Sequence, residues 1–201
     1  SSEDEEERLD ALDELDALLE ESFGEDGAQV GRAVRKGSSL TALAGMLSDE
    51  DRDVAMQALH VIANLVSDAV DPQSTLTKDE LLRVEHFGST VMRRLKEAND
   101  PDMTLLAAGT VQNLCSTIGW CQFVVAHGAL PTVAALLEAN EAHTRRYAAG
   151  ALKNIIQAAH LDVAAGGEEG AWQEVWLSEQ ALLAVEVRAF EAAVESFAFT
   201  R

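Results

Sequence analysis

The chain reads as all-α, a short right-handed α-solenoid of about three repeats between N- and C-terminal capping helices. Three observations carry this reading. A segment of the chain repeats itself with an offset of 41 residues. Ala and Leu supply much of the 47% apolar content, against three Pro and one Tyr, a balance that favours helix over strand. Glycine, proline and aspartate stand where helices of that repeat should start and stop.

The repeat is visible in the letters. Residues 93–114, RRLKEANDPDMTLLAAGTVQNL, align with residues 134–155, AALLEANEAHTRRYAAGALKNI. Leu95 meets Leu136, Ala107-Ala108-Gly109 meets Ala148-Ala149-Gly150, and Asn113 meets Asn154. Upstream, Val84 faces Val125 and His86 faces His127. A third copy at an offset of 49 aligns Ala58, Leu59, Ile62, Asn64 and Leu65 with Ala107, Ala108, Val111, Asn113 and Leu114. Its extra residues fall within Asp68–Thr77, where Asp71-Pro72-Gln73-Ser74 reads as loop.

Taken in order, residues 1–36 form an acidic helical cap. Residues 5–21 are an amphipathic helix with Leu9, Leu12, Leu15, Leu18 and Leu19 on one face. Gly24–Gly27 interrupts it, and a basic turn with Arg32, Arg35 and Lys36 follows. The repeats occupy 37–160, divided at about 37–86, 87–127 and 128–160. Thr77-Lys78-Asp79-Glu80 has the form of a capping box. Asp100-Pro101 is an N-cap followed by proline at the first helical position. Gly128 ends a short helix and Pro131 opens the next. Leu130, Val133, Leu136 and Leu137 then form one apolar stripe, and Tyr147, Leu152, Ile155 and Ile156 a second. One unit cannot bury both stripes, but stacked neighbours can. Residues 161–201 are expected to cap the other end, with Trp172–Phe197 helical after Gly166-Gly167.

The stretches Ala-Ala-Gly-Thr-Val-Gln-Asn-Leu-Cys (107–115) and Ala-Ala-Gly-Ala-Leu-Lys-Asn-Ile (148–155) resemble the third helix of armadillo repeats of the beta-catenin and plakophilin type. Gly-Ala-Leu-Pro-Thr-Val-Ala-Ala-Leu-Leu (128–137) resembles the second helix of those repeats. The resemblance covers roughly residues 37–160. It implies a concave groove lined by third helices, with Asn64, Asn113 and Asn154 hydrogen-bonding the backbone of an extended peptide. An amide suits that task because it both donates and accepts. The competing reading is that each asparagine bonds only its neighbouring helix. In the importin-alpha branch a tryptophan one turn earlier receives lysines of import signals. Here those positions are His60, Gly109 and Gly150, which argues against that specificity; the two glycines are expected to allow close helix packing. A further turn back, Gln57, Leu106 and Tyr147 are expected on the same surface.

The net charge of −20 sits at the ends: residues 1–26 carry −12 and residues 161–201 carry −6. The body is nearly neutral, so no basic face exists for nucleic acid or an anionic membrane. The acidic opening run reads as a solvated tail, or as a segment that steers a basic partner or folds back on Arg32, Arg35 and Lys36. No stretch approaches the roughly 18 apolar residues of a membrane span. Cys115 and Cys121 fit a reduced protein, and helical spacing would point their side chains apart. Neither cysteine pairs with His60, His86, His127, His143 or His160 in a metal-site spacing, so no metal or cofactor is expected. No nucleophile elbow, phosphate loop or dinucleotide fingerprint occurs. Trp172 and Trp176 read as covers of the stack or as a docking anchor at the cap.

The expectation is therefore a non-enzymatic protein–protein interaction module, intracellular and soluble, with the cytoplasm the first choice of compartment. It would be an adaptor or a structural subunit, docking a protein partner, an extended peptide or a large assembly through its groove or caps. The alternative rests on a fainter resemblance. Residues 9–66 are similar to small armadillo-type nucleotide exchange factors of large heat-shock chaperones, which clasp the chaperone's nucleotide-binding lobe.

Overall fold

The computed structural model describes residues 3–96 and 100–172, and among these there are only helices and their connections. Ten α-helices follow in order: α1 Glu3–Glu20, α2 Glu25–Arg35, α3 Ser39–Met46, α4 Arg52–Leu65, α5 Ser74–Leu81, α6 Phe87–Arg94, α7 Pro101–Leu114, α8 Ile118–Ala126, α9 Leu130–Ala135 and α10 Ala142–Ala164. Short 3₁₀ turns at Leu136–Glu138 and Glu169–Trp172 complete them. The order resolves into three triplets, α2–α3–α4, α5–α6–α7 and α8–α9–α10, each ending on one of the longer helices. The triplets counted in this way open at Glu25, Ser74 and Ile118.

By compactness the chain divides into two units, Ser1–Val91 and Met92–Arg201, with the boundary inside α6. Residues 1–36 are not a separate body. In the first unit α1 packs on α4, and α2 packs on α3 and α5.

The first unit is organised around α4. Asp51 caps it, accepting from the amides of Asp53 (2.7 Å) and Val54 (3.3 Å). Val54, Ala58, Leu59, Val61, Ile62 and Leu65 of α4 are fully buried. Each such Val, Leu or Ile contributes about 1.5–3 kcal/mol through removal from water. The α1 helix presents Leu12, Asp16 and Leu19 to this core, spaced as one helical face. Leu18, expected on that face, points to solvent at 56% exposure because it lies to the far side of the 12-16-19 line. Arg8 adds a rim ion pair to Asp49 at 3.4 Å.

The insertion between the first two copies is turn and loop through Gln73, as expected, and helical from Ser74. The α5 helix starts at Ser74, three residues before the expected capping box at Thr77. Asp71 accepts from the Gln73 amide at 2.7 Å and turns the chain into the helix. Thr77, inside the helix, accepts instead from Arg35 at 2.7 Å. Lys78 is fully buried and pairs with Asp68 at 2.5 Å. Close approach is possible because α2 carries glycines at its contact: a Cβ at Gly27 would lie 2.0 Å from the carbonyl oxygen of Val70.

In the second unit the expected helix ends appear. Asp100 accepts from the Met103 amide at 3.1 Å, with Pro101 opening α7. Gly128, at φ 59°, lets α8 end and α9 begin at Leu130; the helical stretches on either side lie at 96°. The α10 helix packs along α7 and is capped by Glu141, which accepts from the Thr144 amide. At the far end of α10, Asp162 accepts from the indole of Trp172 at 2.8 Å and from the Gln122 amide at 3.3 Å. The expected helix 172–197 lies outside the described residues beyond Trp172. Among the described residues no single helix is long and apolar enough to cross a membrane.

Candidate protein-binding surface

The expected groove residues fall on the three third helices: Gln57, His60 and Asn64 on α4, Leu106 and Asn113 on α7, Tyr147 and Asn154 on α10. All seven are half-buried, on the boundary between the core-facing stripe and solvent. Spacings of three, four and seven place each set on one face of its helix.

In the second unit this surface is built by two adjacent third helices. The glycines decide how closely they approach. A Cβ at Gly109 would meet the Tyr147 ring at 3.2 Å, and one at Gly150 would meet the Gln112 side chain at 2.7 Å. Tyr147 therefore lies over Gly109, and Gln112 over Gly150, filling the space that a larger residue would claim. The His143 ring is tilted against Tyr147 with centroids 6.5 Å apart. Asn154 donates to the carbonyl oxygen of Gln112 at 3.4 Å, a long bond that uses one of its two N–H groups. The result is a half-open surface with the Tyr147 ring at one end and the Gln112 and Asn154 amides one and two turns further along α10. The exposed side of α10 next to it carries Arg146 and Lys153.

In the first unit the equivalent face is occupied. The carboxylate of Asp16 on α1 accepts from Asn64 Nδ2 at 3.1 Å and from Gln57 Nε2 at 3.2 Å. His60 Nδ1 lies 3.1 Å from the same carboxylate. The acidic helix thus docks on α4. Of the basic turn, Arg35 is taken by Asp71 and Thr77, and Arg32 by Glu25 at 2.8 Å. Asp16 is the member of this polar cluster that the sequence reading did not single out. Its only signal is position: an acid at the centre of the Leu12–Leu19 face.

Of the two readings of Trp172, cover of the stack or docking anchor, its full burial, with the indole N–H held by Asp162, is the geometry of a cover. Trp176 lies outside the described residues. Cys115 and Cys121 are both free and buried, yet they do not point apart. The α7 helix ends at Leu114, so helical spacing does not carry through, and the Cys121 thiol donates to the Cys115 carbonyl at 3.1 Å. The hydrogen bond to Cys121 and burial together push the Cys115 thiol well above its ordinary pKa. Cys115 is therefore a poor nucleophile and a poor metal ligand. Among the described residues no three His, Cys, Asp or Glu side chains converge on a metal-sized site. A cavity of about 450 Å³ in the second unit, lined by Leu95, Pro101, Thr104, Leu136, Ala139 and Thr144, is mostly apolar and lies off the asparagine face.

No family profile and no curated protein matches the chain. Solved structures do. A designed armadillo repeat protein in complex with the peptide (KR)4 is similar over 96% of this chain and 95% of its own, at 17% identity and a TM-score of 0.63. The fold is that of armadillo repeats. Computationally designed armadillo repeat proteins for modular peptide recognition match 96% of this chain and 78% of theirs, at 17% identity and a TM-score of 0.62. An engineered protein matches at 21% identity and a TM-score of 0.66. The chain covers 97% of itself in that comparison but only 45% of the engineered protein.

Proposed function

We propose that this armadillo chain is a non-enzymatic interaction module that holds an extended protein segment on the α7–α10 face of its second unit. The observation that carries the reading is the arrangement there. Tyr147 lies over Gly109, and Asn154 on the same helix spends one N–H on the Gln112 carbonyl, whereas the corresponding first-unit residues Gln57 and Asn64 are engaged by Asp16. Extended backbone has donors and acceptors to satisfy, and an asparagine amide supplies both. Peptide recognition by designed proteins of the same fold supports this choice of ligand. Its role in a cell would be that of an adaptor or a subunit of a larger assembly, with protein partners, no nucleic acid and no membrane insertion. An intracellular setting is part of the proposal and rests on the cysteine-poor composition.

The test compares wild type with an Asn113→Ala/Asn154→Ala variant against an immobilised library of extended peptides. Circular dichroism first establishes that both fold alike. Peptides retained by wild type and weakened about tenfold or more on the variant support the reading, a loss of the size expected for buried hydrogen-bonding partners. Peptides retained equally by both would move recognition off this face.

A further inference from the structure

We propose that the α4 face of the first unit is a docking site for a carboxylate-bearing amphipathic helix, with α1 as an occupant that the chain supplies and that can be displaced. The inference is independent of the α7–α10 reading and concerns different residues.

The two third-helix faces make the case by comparison. On α10 the equivalent positions are Tyr147, Gly150 and Asn154, and they meet the neighbouring helix through shape and one backbone carbonyl. Any residue could supply that carbonyl. On α4 the positions are Gln57, His60 and Asn64, and all three converge on one side-chain carboxylate: Asn64 on Oδ1, Gln57 and His60 on Oδ2. Packing one helix on the next does not require such a seat, as α10 shows. The seat reads chemistry, and its ligand has a pattern. Leu12 and Leu19, 2% and 1% exposed, stand four residues before and three after Asp16, so the site accepts Leu-x-x-x-Asp-x-x-Leu on a helix.

Outside this seat and the rim pair Arg8–Asp49, the polar face of α1 is turned to solvent. Glu6, Glu7, Asp10, Asp13 and Glu14 are exposed, with like charges repeated at spacings of three and four, which destabilise an isolated helix. Its last turn carries no base, and Glu20 sits at the negative end of the helix dipole. Helicity of α1 therefore depends on its seat, and residues 21–24 link it to α2. Covalent linkage supplies an effective concentration in the millimolar range, which a partner helix of the same pattern must overcome.

The experiment uses the full chain with a specific protease site placed between Glu21 and Gly24, and a fluorescein-labelled peptide of residues 3–21 as the probe. After cleavage the labelled peptide should exchange into the protein and give saturable anisotropy, while the uncleaved chain binds at least about tenfold more weakly. A peptide carrying Asp16→Ala should lose about tenfold or more in affinity for the cleaved chain. Gln57→Ala/Asn64→Ala in the protein should lose as much. Equal binding by the Asp16→Ala peptide would overturn carboxylate recognition. Unfolding on cleavage, or failure of the label to exchange under excess peptide while the cut helix stays bound, would make α1 a fixed structural cap and overturn the proposal.

Discussion

Arg35 Nη1 donates to Asp71 Oδ2 at 3.0 Å across 36 residues of sequence, with side-chain exposures of 7% and 0%. This pair joins α2 to the turn that starts α5. Removing one partner leaves a buried charge without its counter-ion, so Asp71→Ala should cost about 3–5 kcal/mol in chemical denaturation. Replacing both, as Arg35→Met/Asp71→Leu, should recover most of that loss. A double variant as unstable as the single would mean that the backbone turn, rather than the charge, is what Asp71 holds.

Glycine content on α2 reflects contact rather than flexibility. Gly27→Ala puts a methyl 2.0 Å from the Val70 carbonyl oxygen, and backbone must move; a loss of about 1–3 kcal/mol is expected. Gly45, exposed in α3, has nothing within 4 Å of its would-be Cβ. Gly45→Ala should therefore stabilise by about 0.4–1 kcal/mol through the unfolded chain. Parallel urea titrations of the two variants check both signs.

The C-terminal end of α10 depends on one carboxylate. Asp162→Ala removes the acceptor of both Trp172 and Gln122, and an orphaned buried indole N–H costs about 1–3 kcal/mol. Asp162→Asn retains an acceptor and should lose less. Equal midpoints for the two variants in thermal melts would show that the Trp172 bond contributes little.

Acid should loosen the start of α10. Partial burial pushes the Glu141 carboxyl up, but amide hydrogen bonds from His143 and Thr144 outweigh it and hold its pKa below the ordinary value. With the folded pKa depressed, the cap's stabilisation is complete above the unfolded value of about 4.3 and is lost as pH falls through the folded one. Glu141→Gln should flatten the stability profile in that acidic window and leave its shape near neutrality unchanged. Stability measured by denaturant between neutral pH and the acidic window tests this.

What could be read directly were the features whose cause is local. Asp100-Pro101 starts a helix and Gly128-Pro131 makes a hinge because cap geometry and backbone conformation belong to the residues themselves. The copies at 58–65, 107–114 and 148–155 are legible because each third helix meets a similar environment. Gln57, His60, Asn64, Leu106, Asn113, Tyr147 and Asn154 lie on α4, α7 and α10. What those residues touch was not legible. Asp16 reaches Gln57 and Asn64 across 41 and 48 positions, and Arg35 chooses Asp71 rather than the acidic tail. Hydrophobic periodicity says which side of α1 is buried, but an acid on that side has no visible partner until α4 is packed against it. The same holds for Trp172 and for the two cysteines, whose surroundings follow from where a helix stops and which neighbour closes over it. Local conformation is encoded in adjacent residues; the pairing of buried polar groups is a property of the packed chain.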